Sequence, residues 1–226
     1  EQDFALAKGL GHNAHRLSIE WSRIEPKEGE FDHHEIEHYI KLLKYLKSLN
    51  FTVMLTLWHL TLPLWVAQKG GWENGQTAKY FAKFVDRVVP EIKDYVDFWI
   101  TVNEPGLYGY MAYLGGDDAG PWPPEKKSKI QAAKVMWNLA RAHKKAYKII
   151  HRLVPDVQVG VANNINSFDA YHKHSIIEQG AVIISDIFSN HLFYFLTQGH
   201  HDFLGINYYF HHRFIRKSGL IPQFVD

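Results

Sequence analysis

No cysteine occurs in the 226 residues, which excludes disulfides and thiolate metal sites at the outset. Charge of one sign is also missing. Lys+Arg 25 stand against Asp+Glu 24, a formal net of +1, with no basic block and no acidic tail. Such balance gives no electrostatic footing for nucleic acid or a membrane surface, and neither is expected as a partner. The longest apolar stretch, Val53 to Ala67, is interrupted by Thr56, His59, Thr61 and Pro63 and is too short to cross a bilayer. Neither a G-x-G-x-x-G nor a P-loop motif is present. No signal-peptide pattern is visible, and Glu1-Gln2-Asp3-Phe4 leads straight into helical spacing through Leu6, Ala7 and Leu10. That opening reads as the middle of an element already under way, and a cytoplasmic location is the expectation from the missing signal-peptide pattern alone.

What is present is a core. Hydrophobic residues make up 46% and aromatic residues 15%, enough for one sizeable interior, and residues 1–226 read as a single domain. Strand and helix alternate along the chain. A helix ending at Gly9 or Gly11 precedes a strand from Ala14 to Trp21. Asp32 can then cap a helix whose Ile36, Tyr39, Ile40, Leu43 and Leu46 line one face. Phe51 to Trp58 is a nearly continuous apolar run of strand length. A helical stretch from Thr77 to about Tyr95, broken or kinked at Pro90, leads to the strand Asp97 to Asn103. A long amphipathic helix follows through Ala132, Met136, Leu139, His143, Tyr147 and Ile150. Val157 to Asn163 is the next strand, Ile187 to Thr197 another helix, and Phe203 to Tyr209 the last strand. Five strands with helical crossovers imply a parallel sheet, apolar on both faces and covered by helices. A doubly wound sheet and a barrel both fit this order.

Polar groups at the strand ends separate the two. The runs terminate in Trp58-His59, in Asn103-Glu104-Pro105 and in Asn207-Tyr208-Tyr209, while Arg16, Ser18 and Glu20 share one face of the first strand. Polar residues at the C-terminal ends of parallel strands mark barrel active sites, whereas an open sheet would gather them at one crevice beside a glycine-rich turn. The barrel is favoured. Arg16 on a buried strand is expected to have a carboxylate partner. Singly, each signal has a plainer reading. His59 alone is better read as a hydrogen-bonded core histidine, Arg16 as half of a structural ion pair, and Trp58, Trp65, Trp72 and Trp122 as ordinary packing. The 15 histidines include His33-His34, His200-His201 and His211-His212, but none shows H-E-x-x-H spacing, so no metal site is expected.

In combination and in this order, the segments resemble family 1 glycoside hydrolases. The segment from Asn13 through Arg16 and Trp21 to Arg23 resembles that family's second barrel strand. Leu57-Trp58-His59, with Leu62-Pro63-Leu64-Trp65 and Gly70-Gly71-Trp72 behind it, resembles the third strand and its loop. Thr101-Val102-Asn103-Glu104-Pro105 is similar to the fourth-strand signature, and Phe203-Leu204-Gly205-Ile206-Asn207-Tyr208-Tyr209 to the sixth strand. The resemblance implies an α/β fold, a (β/α)8 TIM barrel here incomplete, with about five of eight βα units and without strands 1, 7 and 8. It implies a retaining β-glycosidase acting on small oligosaccharides or aryl and alkyl β-glycosides, with no cofactor. Glu104 would be the general acid/base. His59, Asn103 and Trp58 would contact the sugar, Arg16 and Tyr209 would orient the nucleophilic carboxylate, and Asn207 would line the same pocket. Leaving-group preference would rest on loops such as Pro121-Trp122-Pro123-Pro124, and shortened loops are expected at Gly115 to Pro124 and Gly180 to His201.

Two departures stand out. Leu60 and Thr61 follow His59 where many members have an aromatic residue and then an aspartate. The family's first-strand Gln, its seventh-strand nucleophile in an E-N-G context and its eighth strand have no match. Glu20 is the nearest rival nucleophile, but the family pattern gives that position no catalytic role. The sequence could be an excerpt of a longer enzyme, one half of a split enzyme completed by a second chain, or a fragment. The alternative to an enzyme is a catalytically inactive barrel piece that binds carbohydrate or complements another chain. A barrel glycosidase of another family sharing Asn-Glu is disfavoured by Trp58-His59 and Asn207-Tyr208-Tyr209.

Overall fold

The structure, a computed structural model, describes residues 2–116, 120–216 and 222–225. One sheet runs in the order β1 (Ala14–Ser18), β2 (Thr52–Trp58), β3 (Phe98–Asn103), β4 (Gln158–Ala170), β5 (Phe203–Ile215) and β6 (Gln223–Val225). The first five strands are parallel neighbours and β6 is antiparallel to β5. Helices α1 (Gln2–Gly9), α2 (Trp21–Ile24), α3 (His33–Ser48), α4 (Leu64–Gln68), α5 (Thr77–Ile92), α6 (Pro105–Tyr113), α7 (Lys129–Leu153), α8 (Ile176–Asp186) and α9 (Leu192–Leu196) fill the connections. This is more than half of a β/α barrel.

Local chemistry sets the elements. Asp32 Oδ1 accepts from the His34 and Glu35 N–H groups at 2.8 and 3.3 Å, a cap worth about 1 kcal/mol, and α3 then buries Ile36, Tyr39, Leu43 and Leu46. Between the helices and the sheet, Trp21, Trp58, Trp72, Phe81 and Phe84 pack in edge, tilted and stacked contacts with ring centroids 5.2–6.1 Å apart. Gly160 of β4 lets β5 come close, since a Cβ there would lie 2.5 Å from the Phe203 carbonyl oxygen.

The N-terminal ends of the strands carry one device twice. Asp97 donates its N–H to Val53 O (3.0 Å) while its Oδ2 accepts from Val53 N (2.7 Å). Asp202 does the same to Val159, at 2.9 and 2.8 Å. A phenylalanine follows each aspartate, and the rings of Phe98 and Phe203 meet edge to face at 5.7 Å. This end of the barrel serves stability, and the polar side chains discussed below lie at the other.

Several expectations are corrected. The first strand stops at Ser18, because Glu20 turns the chain and caps α2 with its side chain. Pro90 does not break α5; it lies in the last turn, where only one N–H is lost, and the helix runs on to Ile92 before a 3-10 turn. The helix expected over Ile187 to Thr197 is the second half of a longer one, joined to α8 through a π-type turn at Ile187–His191. Gly180 to Leu196 is therefore helical rather than a shortened loop. Of the segment Gly115 to Pro124, residues 117–119 lie outside the described residues. Strands β4 and β5 overrun their expected ends by several residues, pairing through Ala170↔Phe214.

One flank remains open. Leu204, Ile206, Tyr208 and Phe210 of β5 and Ile176, Ile183, Ile184 and Phe188 beside them are each more than half exposed. Among the described residues no helix is long and apolar enough to cross a membrane.

Candidate active site

Arg16 organises the C-terminal ends of the strands. Its Nε donates to Thr56 Oγ1 (3.3 Å) and one terminal nitrogen to Asn207 Oδ1 (3.1 Å). The other terminal nitrogen donates to Asn103 Oδ1 in a short contact. Three strands, β2, β3 and β5, are thereby tied to β1. No direct carboxylate partner appears among the described residues, contrary to the sequence expectation. Side-chain oxygens of a threonine and two amides solvate the cation instead, and Glu104 acts on it through charge. Burial pulls the guanidinium below its ordinary value, against the opposing pull of Glu104 and Tyr209, yet an arginine stays protonated throughout.

Because guanidinium can only donate, it settles the orientation of both amides. Asn207 presents its oxygen to Arg16, so its Nδ2 is free to donate to Glu104 Oε1 at 2.6 Å and to Asn103 Oδ1 at 3.3 Å. Asn103 likewise turns its Nδ2 toward His59 Nε2, 3.3 Å away. That nitrogen must then be the lone-pair acceptor, which leaves His59 Nδ1–H as a donor. The imidazole is held below its usual value, first by burial and then by Arg16, with Glu104 and Glu20 opposing, so it is neutral at pH 7.

Glu104 itself sits at a forced bend. Its backbone is left-handed, φ +47°, a conformation that costs a non-glycine residue about 1 kcal/mol or more. The neighbouring strand enforces it: Glu104 N donates to Ala162 O at 2.7 Å. Pro105 then opens α6 at its first position, with Tyr108 N donating back to Glu104 O at 3.0 Å. The result is a glutamate that is 5% exposed, beside a 1% exposed asparagine.

The other candidates divide. Tyr209 lies two residues along β5 from Asn207, at a bulge where Tyr209 and Phe210 together oppose Asn166. It is 62% exposed and lies within electrostatic reach of Arg16. Trp58 is 1% exposed, with its Nε1 donating to Thr61 O at 2.7 Å and its ring against Trp72 and Tyr108. It lies beneath the site, with no face open to a sugar. Pro123, Pro124 and Trp122 wall a cavity of about 570 Å³ together with Leu60, Thr61 and Tyr108, and Glu104 and His59 are not in its lining. Sequence reading missed Thr56, whose place two residues before Trp58 in an otherwise apolar run was the available signal. Among the described residues no group of three His, Asp or Glu side chains is gathered as a metal would require.

Fold and site together define a β/α-barrel segment built around a strand-end carboxyl group. The chain belongs to glycosyl hydrolase family 1, whose family model matches residues 1–198. It is 33% identical to the galactolipid galactosyltransferase SFR2, chloroplastic, of Arabidopsis thaliana, over 92% of this chain and 35% of that protein. It is 30% identical to beta-glucosidase A of Acetivibrio thermocellus, over 82% of this chain and 41% of that one. In structure it matches the beta-glucosidase of Thermotoga maritima in complex with deoxynojirimycin with a TM-score of 0.90 and 26% identity, over all of this chain and 57% of that one. The chain thus spans between about a third and three fifths of these relatives.

Proposed function

We propose that this chain carries the acid/base half of a retaining β-glycosidase, acting on terminal β-linked sugars of small oligosaccharides or of aryl and alkyl β-glycosides. The observation that carries this reading is the grip of Asn207 on Glu104 Oε1, with Asn207 itself oriented by Arg16. An acid held by one oxygen keeps the other, Oε2, for the proton it passes to the departing glycosidic oxygen. After departure the same oxygen takes a proton from water. His59 and Asn103 would bind hydroxyls of the sugar. Arg16 and Tyr209 would orient the nucleophile, a carboxylate about 5–5.5 Å from Glu104 supplied from outside these residues. The exposed apolar flank of β5 and α8 would be covered by the remainder of the barrel, either a further segment or a second chain, and residues 1–226 would form part of that one domain. No cofactor is required.

The test is turnover of a nitrophenyl β-glucoside by the protein containing this chain. The reading expects hydrolysis with retention at the anomeric carbon, and a large loss with Glu104→Gln for substrates with poor leaving groups. An inverted product, or unchanged turnover in that variant, contradicts it.

A second reading is favoured by the 33% identity to a galactosyltransferase. The same double displacement transfers the sugar when a carbohydrate hydroxyl replaces water as the acceptor activated by Glu104. Product analysis with and without an added glycoside acceptor distinguishes the two. A catalytically inactive, carbohydrate-binding piece is the outcome if neither product forms.

A further inference from the structure

We propose that Glu20 is a positioning residue for His59: its carboxylate, at the mouth of β1, clasps Thr61 and so sets the turn on which the imidazole stands. The functional consequence rests on the sugar-binding role of His59 proposed above, whereas the clasp itself does not.

Glu20 is the first acidic residue past β1, half-buried and fixed at its base, where its N–H donates to the hydroxyl of buried Tyr39 at 3.0 Å. Its two oxygens lie 2.8 and 2.9 Å from Thr61 Oγ1, and Oε1 also accepts from Ser22 Oγ at 2.9 Å. The single hydroxyl proton of Thr61 is thus shared between the two carboxylate oxygens, and Ser22 holds one of them as well. Thr61 is held at its other end too, since its carbonyl accepts from the indole of Trp58. His59 and Leu60 are spanned between these anchors.

The span is strained. Leu60 has φ +75°, a left-handed backbone that a leucine keeps only where its surroundings impose it. Asn103 Nδ2 reaches His59 at 3.3 Å, a long hydrogen bond that by itself leaves the ring poorly fixed. The firmer restraint is the pair of contacts on Thr61, two residues on. The sequence departure after His59 then has a physical reading. A threonine replaces the usual aspartate, and the carboxylate is supplied across 41 residues by the turn that follows β1.

The experiment compares Glu20→Ala, Glu20→Gln, Thr61→Val and Thr61→Ser in the whole protein, with two readouts. Kinetics on a nitrophenyl β-glucoside should show KM raised about 10- to 100-fold by Glu20→Ala and Thr61→Val, with kcat changed less. Thr61→Ser, which keeps the hydroxyl, should recover most of that loss. Histidine-labelled NMR, with the His59 signal assigned from a His59→Gln sample, should show that signal displaced in Glu20→Ala and Thr61→Val, and its titration moved to lower pH in Glu20→Ala. Glu20→Gln and Thr61→Ser are the milder pair should the others fail to fold, and Glu20→Gln should lower the His59 titration as well. Unmoved His59 signals overturn the clasp. Signals that move while KM stays put retain the clasp and overturn its role in binding. If the wild-type protein shows no turnover, the proposed function falls and the NMR result alone decides the clasp.

Discussion

Asn207 donates to Glu104 Oε1 at 2.6 Å although the two residues are 103 positions apart, on β5 and at the end of β3. Removing that donor with Asn207→Ala should lower kcat/KM on β-glycosides by about 10- to 100-fold, because the acid loses its fixed geometry. Asn207→Asp, which puts a carboxylate where the donor stood, should lower kcat/KM at least as far. An unchanged kcat/KM in both variants would show that this contact does not position the acid.

Gly160 is set against β5 without room for a side chain. Gly160→Ala should destabilise by about 1–3 kcal/mol, because its Cβ would meet the Phe203 carbonyl rather than a movable side chain. Urea denaturation of the two proteins measures this directly, and equal midpoints would mean that the strands part at little cost.

Acid should weaken the fold through a buried histidine pair. His143 Nε2 faces the carbonyl of His200 at 2.6 Å, so it must carry the hydrogen, and Nδ1 accepts from Thr101 Oγ1, also at 2.6 Å. The neutral ring uses both nitrogens. Burial, and then His201 stacked 4.8 Å away, push His143 down to about 3, and burial pushes His201 to about 4. Both folded values lie below the unfolded value of about 6.5. The unfolded chain therefore takes up protons first, and stability present above pH 6.5 is lost as pH falls toward 4 and 3. Each histidine contributes a slope approaching about 1.4 kcal/mol per pH unit. Urea midpoints should fall between pH 7 and pH 5, and His143→Gln should flatten that dependence. An equal slope in the variant would contradict this origin.

How much could be read beforehand varied with the kind of interaction. Val53 to Leu57 and Trp99 to Val102 declare themselves as covered strands, because both faces are apolar. Asn103 and Pro105 alone were a weak signal for Glu104, since both are common where strands turn; its candidacy came from the order of all the strand-end segments. The overrun of β4 and β5 was not legible, since Asn164 to Ala170 and Phe210 to Ile215 mix polar and apolar residues and are held by pairing with each other. Ser175 with Glu178 spells a helix start that was passed over. The apolar residues of α8 follow no stripe against the core, and Glu178 is its buried residue. The contacts of Arg16 lay beyond local reading altogether, because its partners come from 40, 87 and 191 residues away.

The central claim, that Glu104 is the acid/base of a double displacement, is tested most directly by azide rescue of Glu104→Gln in the whole protein. With a dinitrophenyl β-glucoside the leaving group needs no acid, so the sugar still transfers to the nucleophile, and hydrolysis then stalls for want of a base. Azide needs no base. The account predicts that azide restores turnover and that the product is the β-glucosyl azide, with retained configuration. No rescue, or an α-azide, would contradict it.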